Sequence, residues 1–182
     1  MTSYEYAPFY CEENVYRLAF ERFAARRIEN PAAAAVRPDA FVVLISNPDE
    51  SVALAMQRAG RGPEKIVVWD YHVVYVEGAV VYDLDTVLPC PIDSTRYLAR
   101  TFPSRLLAPE SPHAARFSCV PAARFLEVFS SDRSHMRSAD GSYIHAPPPW
   151  PSIYRPELGN TLFELVHGRH EAVQSYGRDF PR

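Results

Sequence analysis

The sequence has few cysteines and lacks the CxxC and HxxxH spacings of common zinc sites. Cys11, Cys90 and Cys119 are the three cysteines among 182 residues, and neither a CxxC nor an HxxxH spacing occurs. An odd, widely spaced set of cysteines argues against a disulfide framework and favours a reducing compartment. The absent spacings argue against a zinc site. We therefore expect a cytoplasmic protein without a bound metal.

The chain also lacks a long apolar run and an excess of positive charge. No stretch approaches the roughly 18–20 apolar residues of a membrane span. The N-terminal MTSYEYAPFYCEE has neither the basic start nor the apolar core of a secretion signal. The formal net charge of −3 gives no electrostatic footprint for nucleic acid or anionic lipid. We expect one globular domain over residues 1–182, with no nucleic-acid or membrane partner and no need for more than a monomer.

The predicted elements are a helix, then mostly strands, then a mixed segment. Apolar spacing predicts a first helix from about Glu12 to Ile28. The proline-rich stretch 130–156 is predicted to be a long loop, either functional or disordered. The remaining predictions are strands at 40–46 and 115–120, a strand or short helix at 51–57, and helices after Asp93, after Pro121 and at TLFELV.

The segment Ile66–Thr86, IVVWDYHVVYVEGAVVYDLDT, is typical of a β-hairpin, yet its strands carry a histidine and several carboxylates. If Glu77-Gly78 forms the turn, Val76 pairs with Ala79, and each pair further from the turn lies one residue along on either strand. His72 then lies directly opposite Asp83. Directly opposed side chains can touch. A carboxylate in that position can orient an imidazole as a general base.

Two features of the hairpin leave other interpretations open. The same pairing sets Asp70 opposite Asp85, a like-charge pair that is unfavourable unless it is solvated or bridged. A three-residue turn with a bulge would shift the register by one residue and separate His72 from Asp83. The pair could also be a surface ion pair that contributes almost nothing.

A candidate nucleophile lies at the predicted start of the first helix, where YCEENVY places Cys11. The helix N-terminus favours a thiolate, and its free N–H groups can donate to an oxyanion. Glu12 and Glu13 oppose the thiolate, so activation needs a neighbouring His72. The alternative is that Cys11 is a small buried hydrophobe. The order Cys, His, Asp is that of papain-like and transglutaminase-like folds.

Six motifs follow one another along the chain: YCEENVY, ISN, WDYHVV, YDLDTVLP, SDRSHM and PPPWP. Together they resemble the protein N-terminal glutamine amidohydrolase family. The resemblance covers about the first four-fifths of the chain, and the last twenty or so residues match poorly. The resemblance implies an α/β (α+β) fold of the papain/transglutaminase type, in which a Cys-bearing N-terminal helix packs on a mainly antiparallel sheet in α-β-α layers.

The resemblance also implies a reaction and a set of site residues. The triad would be Cys11, His72 and Asp83, with Asp85 structural. It would convert the N-terminal glutamine of proteins or peptides to glutamate, without a cofactor, and in eukaryotes the product would feed a degradation pathway. The candidates for substrate binding are Glu12, Trp69, Asp70 and Asp132, of which Trp69 could instead be core and Asp132 a turn cap. The alternatives are another cysteine hydrolase or acyltransferase, and a non-catalytic module that binds N-termini.

Overall fold

The elements follow the predicted order of helix, strands and mixed segment. A computed structural model describes residues 4–29, 40–103 and 110–181. Its helices are α1 (Cys11–Glu29), α2 (Ser94–Thr101), α3 (Ala122–Val128) and α4 (Leu162–Val166), with a 3₁₀ turn at Ser134–Met136. Its strands are β1 (Ala40–Ser46), β2 (Val52–Leu54), β3 (Val67–Trp69), β4 (His72–Glu77), β5 (Val80–Tyr82), β6 (Ile92–Asp93), β7 (Arg116–Pro121) and β8 (Ser175–Gly177).

Six strands form one sheet in the order β6-β5-β4-β1-β7-β8, and every neighbouring pair is antiparallel. The apolar strand β1 lies in its centre between β4 and β7. A separate two-stranded sheet pairs β2 with β3. The segment 51–57, which could have been a strand or a helix, is therefore a strand at Val52–Leu54.

The sheet is covered by helices on both faces. Alternate residues of β1 point to opposite faces, so Val42 and Leu44 pack with α1, α3 and α4, while Val43 and Ile45 pack with Tyr97 of α2. The expected α/β class, with the Cys-bearing helix on a mainly antiparallel sheet in α-β-α layers, is confirmed. Within the described ranges, no helix is long and apolar enough to cross a bilayer.

The predicted register of the hairpin is wrong by two residues. The structure pairs Glu77 with Val80 and Val76 with Val81, so the turn is Gly78-Ala79 and not Glu77-Gly78. Gly78 has φ 56°, a left-handed conformation that glycine adopts without steric cost, and two-residue type II′ turns prefer glycine as their first turn residue. A shift of two residues keeps every side chain on its predicted face.

The segment 66–86 is also not one continuous hairpin. Its first residues form β3, which pairs with β2. Asp70 and Tyr71 belong to neither strand, and β4 begins at His72. Strand β5 ends at Tyr82, so neither direct opposition predicted from the register, His72 with Asp83 or Asp70 with Asp85, is part of the ladder. The polar residues of the segment thus lie at strand ends, where a buried sheet does not have to accommodate them.

Candidate active site

The first residue of α1 is Cys11, and the chain bends sharply before it. Phe9 has φ 70°, an uncommon conformation for a bulky residue. The side chain of Asn14 fixes this bend, because its Oδ1 accepts from the N–H of Ala7 at 2.9 Å and its Nδ2 donates to the carbonyl of Ala7 at 2.8 Å. The position of Cys11 is therefore set by the last residue of its own CEEN motif.

His72 and Asp83 are in contact although they are not opposed in the ladder. Asp83 follows the end of β5, and its Oδ1 lies 2.9 Å from Nε2 of His72. Both side chains are almost completely buried. The carboxylate can only accept, so Nε2 carries the hydrogen and Nδ1 is left as the basic nitrogen. The sequence predicted the right pair through a wrong register.

Each oxygen of the buried Asp83 carboxylate accepts two hydrogen bonds. Besides His72, its Oδ1 accepts from the N–H of Asp85 at 3.0 Å, and its Oδ2 accepts from Gln57 Nε2 and from the Tyr97 hydroxyl, each at 2.9 Å. Burial raises the pKa of Asp83, but the His72 charge and these hydrogen bonds outweigh it, so the pKa is lowered. Burial lowers the pKa of His72, yet Asp83 reverses this and the pKa is raised.

The thiol of Cys11 lies in an environment that opposes its ionisation. Burial first, and then the charges of Glu12 and Asp85, raise its pKa well above the usual value, while a hydrogen bond to the backbone of Val73 acts in the other direction. Oε2 of Glu12 lies 3.7 Å from Sγ. Burial and the Glu12 charge thus favour the neutral thiol in the resting protein, and ionisation of Cys11 depends on a neighbouring base, for which His72 is the candidate.

Glu12 belongs to a second buried cluster beside the thiol. The Tyr71 hydroxyl lies 3.1 Å from Nε2 of His135, and that nitrogen is 3.6 Å from Oε1 of Glu12. Glu12 is fully buried, and Oε1 has no hydrogen-bond partner among the described residues. The cluster joins the start of α1 to the loop 130–156.

Glu13 anchors the same loop through a buried ion pair. Its carboxylate accepts from Nε and one terminal nitrogen of Arg133 at 2.6 and 2.7 Å, and from Nε1 of Trp150 at 2.7 Å. Arg133 also donates to the carbonyl of Trp150 at 2.9 Å. These contacts give SDRSHM and PPPWP a shared structural role, which is to fasten the predicted long loop across the N-terminal end of α1.

A cavity of about 190 Å³ opens over Cys11 and His72. Typical pockets for drug-sized ligands have roughly 300–1,000 Å³, so this volume suits a single amino-acid side chain. The loop 130–156 supplies one wall of the cavity. The lining residues are Phe9, Cys11, Trp69, Asp70, Tyr71, His72, Asp85, His135, Met136, Ile144 and His145.

The four residues predicted for substrate binding occupy different places. Trp69 and Asp70 line the cavity, and the Trp69 ring lies nearly parallel to the His72 ring, with centroids 6.2 Å apart. Glu12 lies beside the thiol but is not among the lining residues. Asp132 lies outside the cavity, and its Oδ1 accepts a hydrogen bond from the N–H of Ser134 at 2.8 Å. This contact agrees with the alternative that Asp132 caps a turn.

Other functional candidates escaped the sequence analysis. Gln57 and Tyr97 lie far from Asp83 in the sequence and belong to no motif, so no local signal marks them. Asp85 was assigned a structural role, yet it lines the cavity. Tyr71 stands inside WDYHVV, so its motif could have marked it.

His72, Asp83 and Asp85 could in principle hold a metal ion, since one ligand atom of each lies within 4.8 Å of the others. However, Nε2 of His72 is engaged with Asp83, and both oxygens of Asp83 already accept hydrogen bonds. A metal ligated by these atoms would have to displace those donors. The geometry therefore favours an oriented histidine over a metal centre.

Comparison with known proteins identifies the family. A family model described as N-terminal glutamine amidase matches residues 6–180. This match extends beyond the four-fifths of the chain that the motifs marked.

Several fruit-fly relatives carry the name protein N-terminal glutamine amidohydrolase. The relatives from Drosophila mojavensis and Drosophila willistoni are each 42% identical to this chain over 162 residues, covering 86% of this chain and 73% of theirs. The Drosophila melanogaster relative is 42% identical over 154 residues, covering 81% of this chain and 71% of its own. With a family model that matches nearly its whole length and relatives this similar, the chain belongs to the N-terminal glutamine amidase family.

Proposed function

We propose that this protein hydrolyses the side-chain amide of an N-terminal glutamine to glutamate and ammonia. The observation that carries this proposal is that Cys11 and His72 line one small cavity, while Asp83 holds the far side of the imidazole. The names of the relatives support the substrate, and the cavity volume suits a glutamine side chain. The proposal treats the chain as one catalytic domain that acts as a cytoplasmic monomer without a cofactor.

The first step is attack of the thiol on the amide carbon. Nδ1 of His72 takes the proton of Cys11, and Sγ forms a bond to the carbon as the C=O electrons move onto oxygen. The free N–H groups at the start of α1 stabilise the resulting oxyanion. Asp83 stabilises the imidazolium that forms and keeps its orientation.

The second step releases ammonia and the third releases glutamate. The protonated His72 gives its proton to the amide nitrogen, so the C–N bond breaks and a γ-thioester with Cys11 remains. Water then enters, His72 takes one of its protons, and the new oxygen–carbon bond displaces the thiolate. The proton returns to sulfur, and the resting thiol is restored.

Three peptides with the same following sequence test the proposal: one starts with glutamine, one with asparagine and one with acetylated glutamine. Mass spectrometry and an ammonia assay follow the conversion of amide to acid. We expect conversion of the glutamine peptide alone, with Cys11→Ala as the inactive control. Equal conversion of acetylated or internal glutamine would contradict the requirement for a free N-terminus. Transfer to an added amine in preference to water would indicate an acyltransferase.

A further inference from the structure

Asp85 is a buried carboxylate in the cavity wall that forms no ion pair within the described part of the chain. Its residue is 6% exposed, and it lines the cavity that contains Cys11. A hydrogen bond reaches its Oδ1 from the neutral hydroxyl of Tyr6 at 2.6 Å, and Oδ2 accepts none from a described residue. Arg58 is nearby, but its Nε donates to the carbonyl of Leu84. Buried carboxylates are normally paired. The charge of Arg58 acts on Asp85 but makes no ion pair with it among the described residues, so Asp85 has capacity for a cation.

The other carboxylates near the cavity are paired, exposed or absent from its lining. Asp83 already accepts four hydrogen bonds, and Glu13 is paired with a buried arginine. Glu12 is buried and its Oε1 has no hydrogen-bond partner among the described residues, but Glu12 is not among the residues that line the cavity. Asp70 lines the cavity but is exposed, so water screens its charge.

The position of Asp85 matches the length of a glutamine. One of its carboxylate oxygens lies within 4.8 Å of a ring nitrogen of His72. In an extended glutamine the amide carbon and the α-nitrogen are separated by four bonds, or about 5 Å. An amide held between Cys11 and His72 therefore brings the α-nitrogen within reach of Asp85.

Aromatic side chains lie around Asp85. Phe9 and Trp69 line the cavity beside it, and together with Tyr6 and Arg58 they also line a neighbouring hollow that shares Asp85. Aromatic faces attract cations, and the face of Tyr6 already has the guanidinium carbon of Arg58 5.7 Å from its centroid. The shared hollow gives the rest of the peptide a way out of the cavity.

We propose that Asp85 binds the α-ammonium group of the substrate's first residue and so restricts the enzyme to free N-termini. This inference rests on the proposed function. The charge of Asp85 also has a second effect, because Asp85 is one of the groups that raise the pKa of the Cys11 thiol. A bound ammonium cancels that charge, and the thiol ionises more easily when the correct substrate is present.

Two substrates and one isosteric variant separate recognition of the ammonium from other roles. The first substrate is a peptide that begins with glutamine, and the second is the same peptide with a 4-carbamoylbutanoyl group, which keeps the side-chain amide and lacks the α-amino group. With enzyme in excess, kcat/KM is measured for the wild type and for Asp85→Asn. We expect at least about a thirtyfold loss on the glutamine peptide, as for truncation of a buried charge pair, and less than about a threefold change on the other peptide.

The outcomes distinguish this inference from the proposed function. Equal losses on both peptides, or no loss on either, would overturn the role of Asp85. The same would follow if Asp70→Asn, its exposed rival, showed the selective loss instead. If Asp85→Asn has no thermal unfolding transition, Tyr6→Phe decides, with a selective loss of several-fold expected and an equal loss against the inference. A wild type inactive on the glutamine peptide would overturn the proposed function itself.

Discussion

The two halves of the candidate site are built in opposite ways. The base half, His72 and Asp83, is held by β4 and by donors from α2 and from the segment after β2, and every oxygen of Asp83 is satisfied. The thiol half, Cys11 and Glu12, is held by the start of α1 and the loop 130–156, and Oε1 of Glu12 lacks a hydrogen-bond partner among the described residues.

This contrast shows where the molecule keeps charge before substrate arrives. In the base half, the interaction between His72 and Asp83 outweighs the effect of burial on both groups. The pKa of Asp83 is therefore lowered and that of His72 is raised. In the thiol half, burial and Glu12 raise the pKa of Cys11. The base half is preorganised for the imidazolium, whereas the thiolate has to form during turnover. Variants in either half therefore test different things.

Removing the thiol gives the largest expected effect. Cys11→Ala should lower kcat by at least about a thousandfold, because loss of a nucleophile removes the covalent path. Since the substitution removes only one sulfur atom, the fold should persist. A peptide deamidation assay and far-ultraviolet circular dichroism measure the two effects.

Cys119→Ala is the matched control for this variant. Cys119 is also a buried free cysteine, but it lies in β7 and packs into the opposite core face from Cys11. Its removal should leave kcat within about twofold of the wild type. Substantial activity in Cys11→Ala, or its loss in Cys119→Ala, would remove the thiol half from the proposed mechanism.

Removing the charge from the base half is expected to have the next largest effect. Asp83→Asn keeps the shape, but an amide nitrogen facing Nε2 selects the wrong tautomer of His72, and kcat should fall by about 10³–10⁴-fold. The measurement is kcat at saturating peptide, with folding checked by thermal unfolding. Full activity would mean that His72 does not need an oriented partner.

Glu13 tests whether the thiol half depends on its loop. Glu13→Gln leaves the buried guanidinium of Arg133 without a countercharge, and we expect about 3 kcal/mol lower free energy of unfolding in urea. The loop 130–156 should also become more susceptible to proteolysis. The exposed pair of Arg124 and Glu127 provides the control, because Glu127→Gln should change stability by less than about 0.5 kcal/mol. Equal effects from the two variants would mean that the buried pair does not anchor the loop.

Tyr97→Phe should have a smaller effect and sharpens the comparison within the base half. It removes one of four hydrogen bonds to Asp83 and leaves the other three. The loss corresponds to about 1–1.5 kcal/mol, or roughly a tenfold lower kcat. KM should not change, because Tyr97 is not among the residues that line the cavity. A change in KM alone would contradict a role through Asp83.

The sequence predicted the elements of the fold well and their pairing less well. Alternation and apolar spacing located α1, β1, β7 and the helix after Asp93, because each has a strong local pattern. The hairpin register failed because two adjacent turns, Glu77-Gly78 and Gly78-Ala79, are both compatible with a glycine. Only the contacts of β4 with β1 and β5 decide between them.

The candidate site was predictable where its residues lie in motifs. Cys11, His72 and Asp83 were identified together, because a histidine and carboxylates in an apolar ribbon are conspicuous. Gln57 and Tyr97 were missed, since their role depends on a meeting of distant elements that leaves no local signal. The direction of the shift in the Cys11 pKa was also out of reach, because its largest cause is burial, which depends on the fold and not on the local sequence.

The weakest expected effect is on the pH dependence of the free energy of unfolding. The measurement compares the wild type, which has the His72–Asp83 pair, with Asp83→Asn. Because the pKa of folded His72 is raised above 6.5, its stabilisation is fully present below that value and is lost as pH rises through the folded pKa. The lowered pKa of Asp83 acts in a more acidic range, below 3.8. The excess unfolding free energy of wild type over Asp83→Asn, measured in urea, should therefore shrink from about pH 5 to about pH 9. Groups whose pKa does not depend on Asp83 cancel in this difference, whereas Asp85, whose pKa the Asp83 charge helps to raise, does not. An excess that is flat or grows with pH would mean that His72 and Asp83 do not share a charge in the resting site.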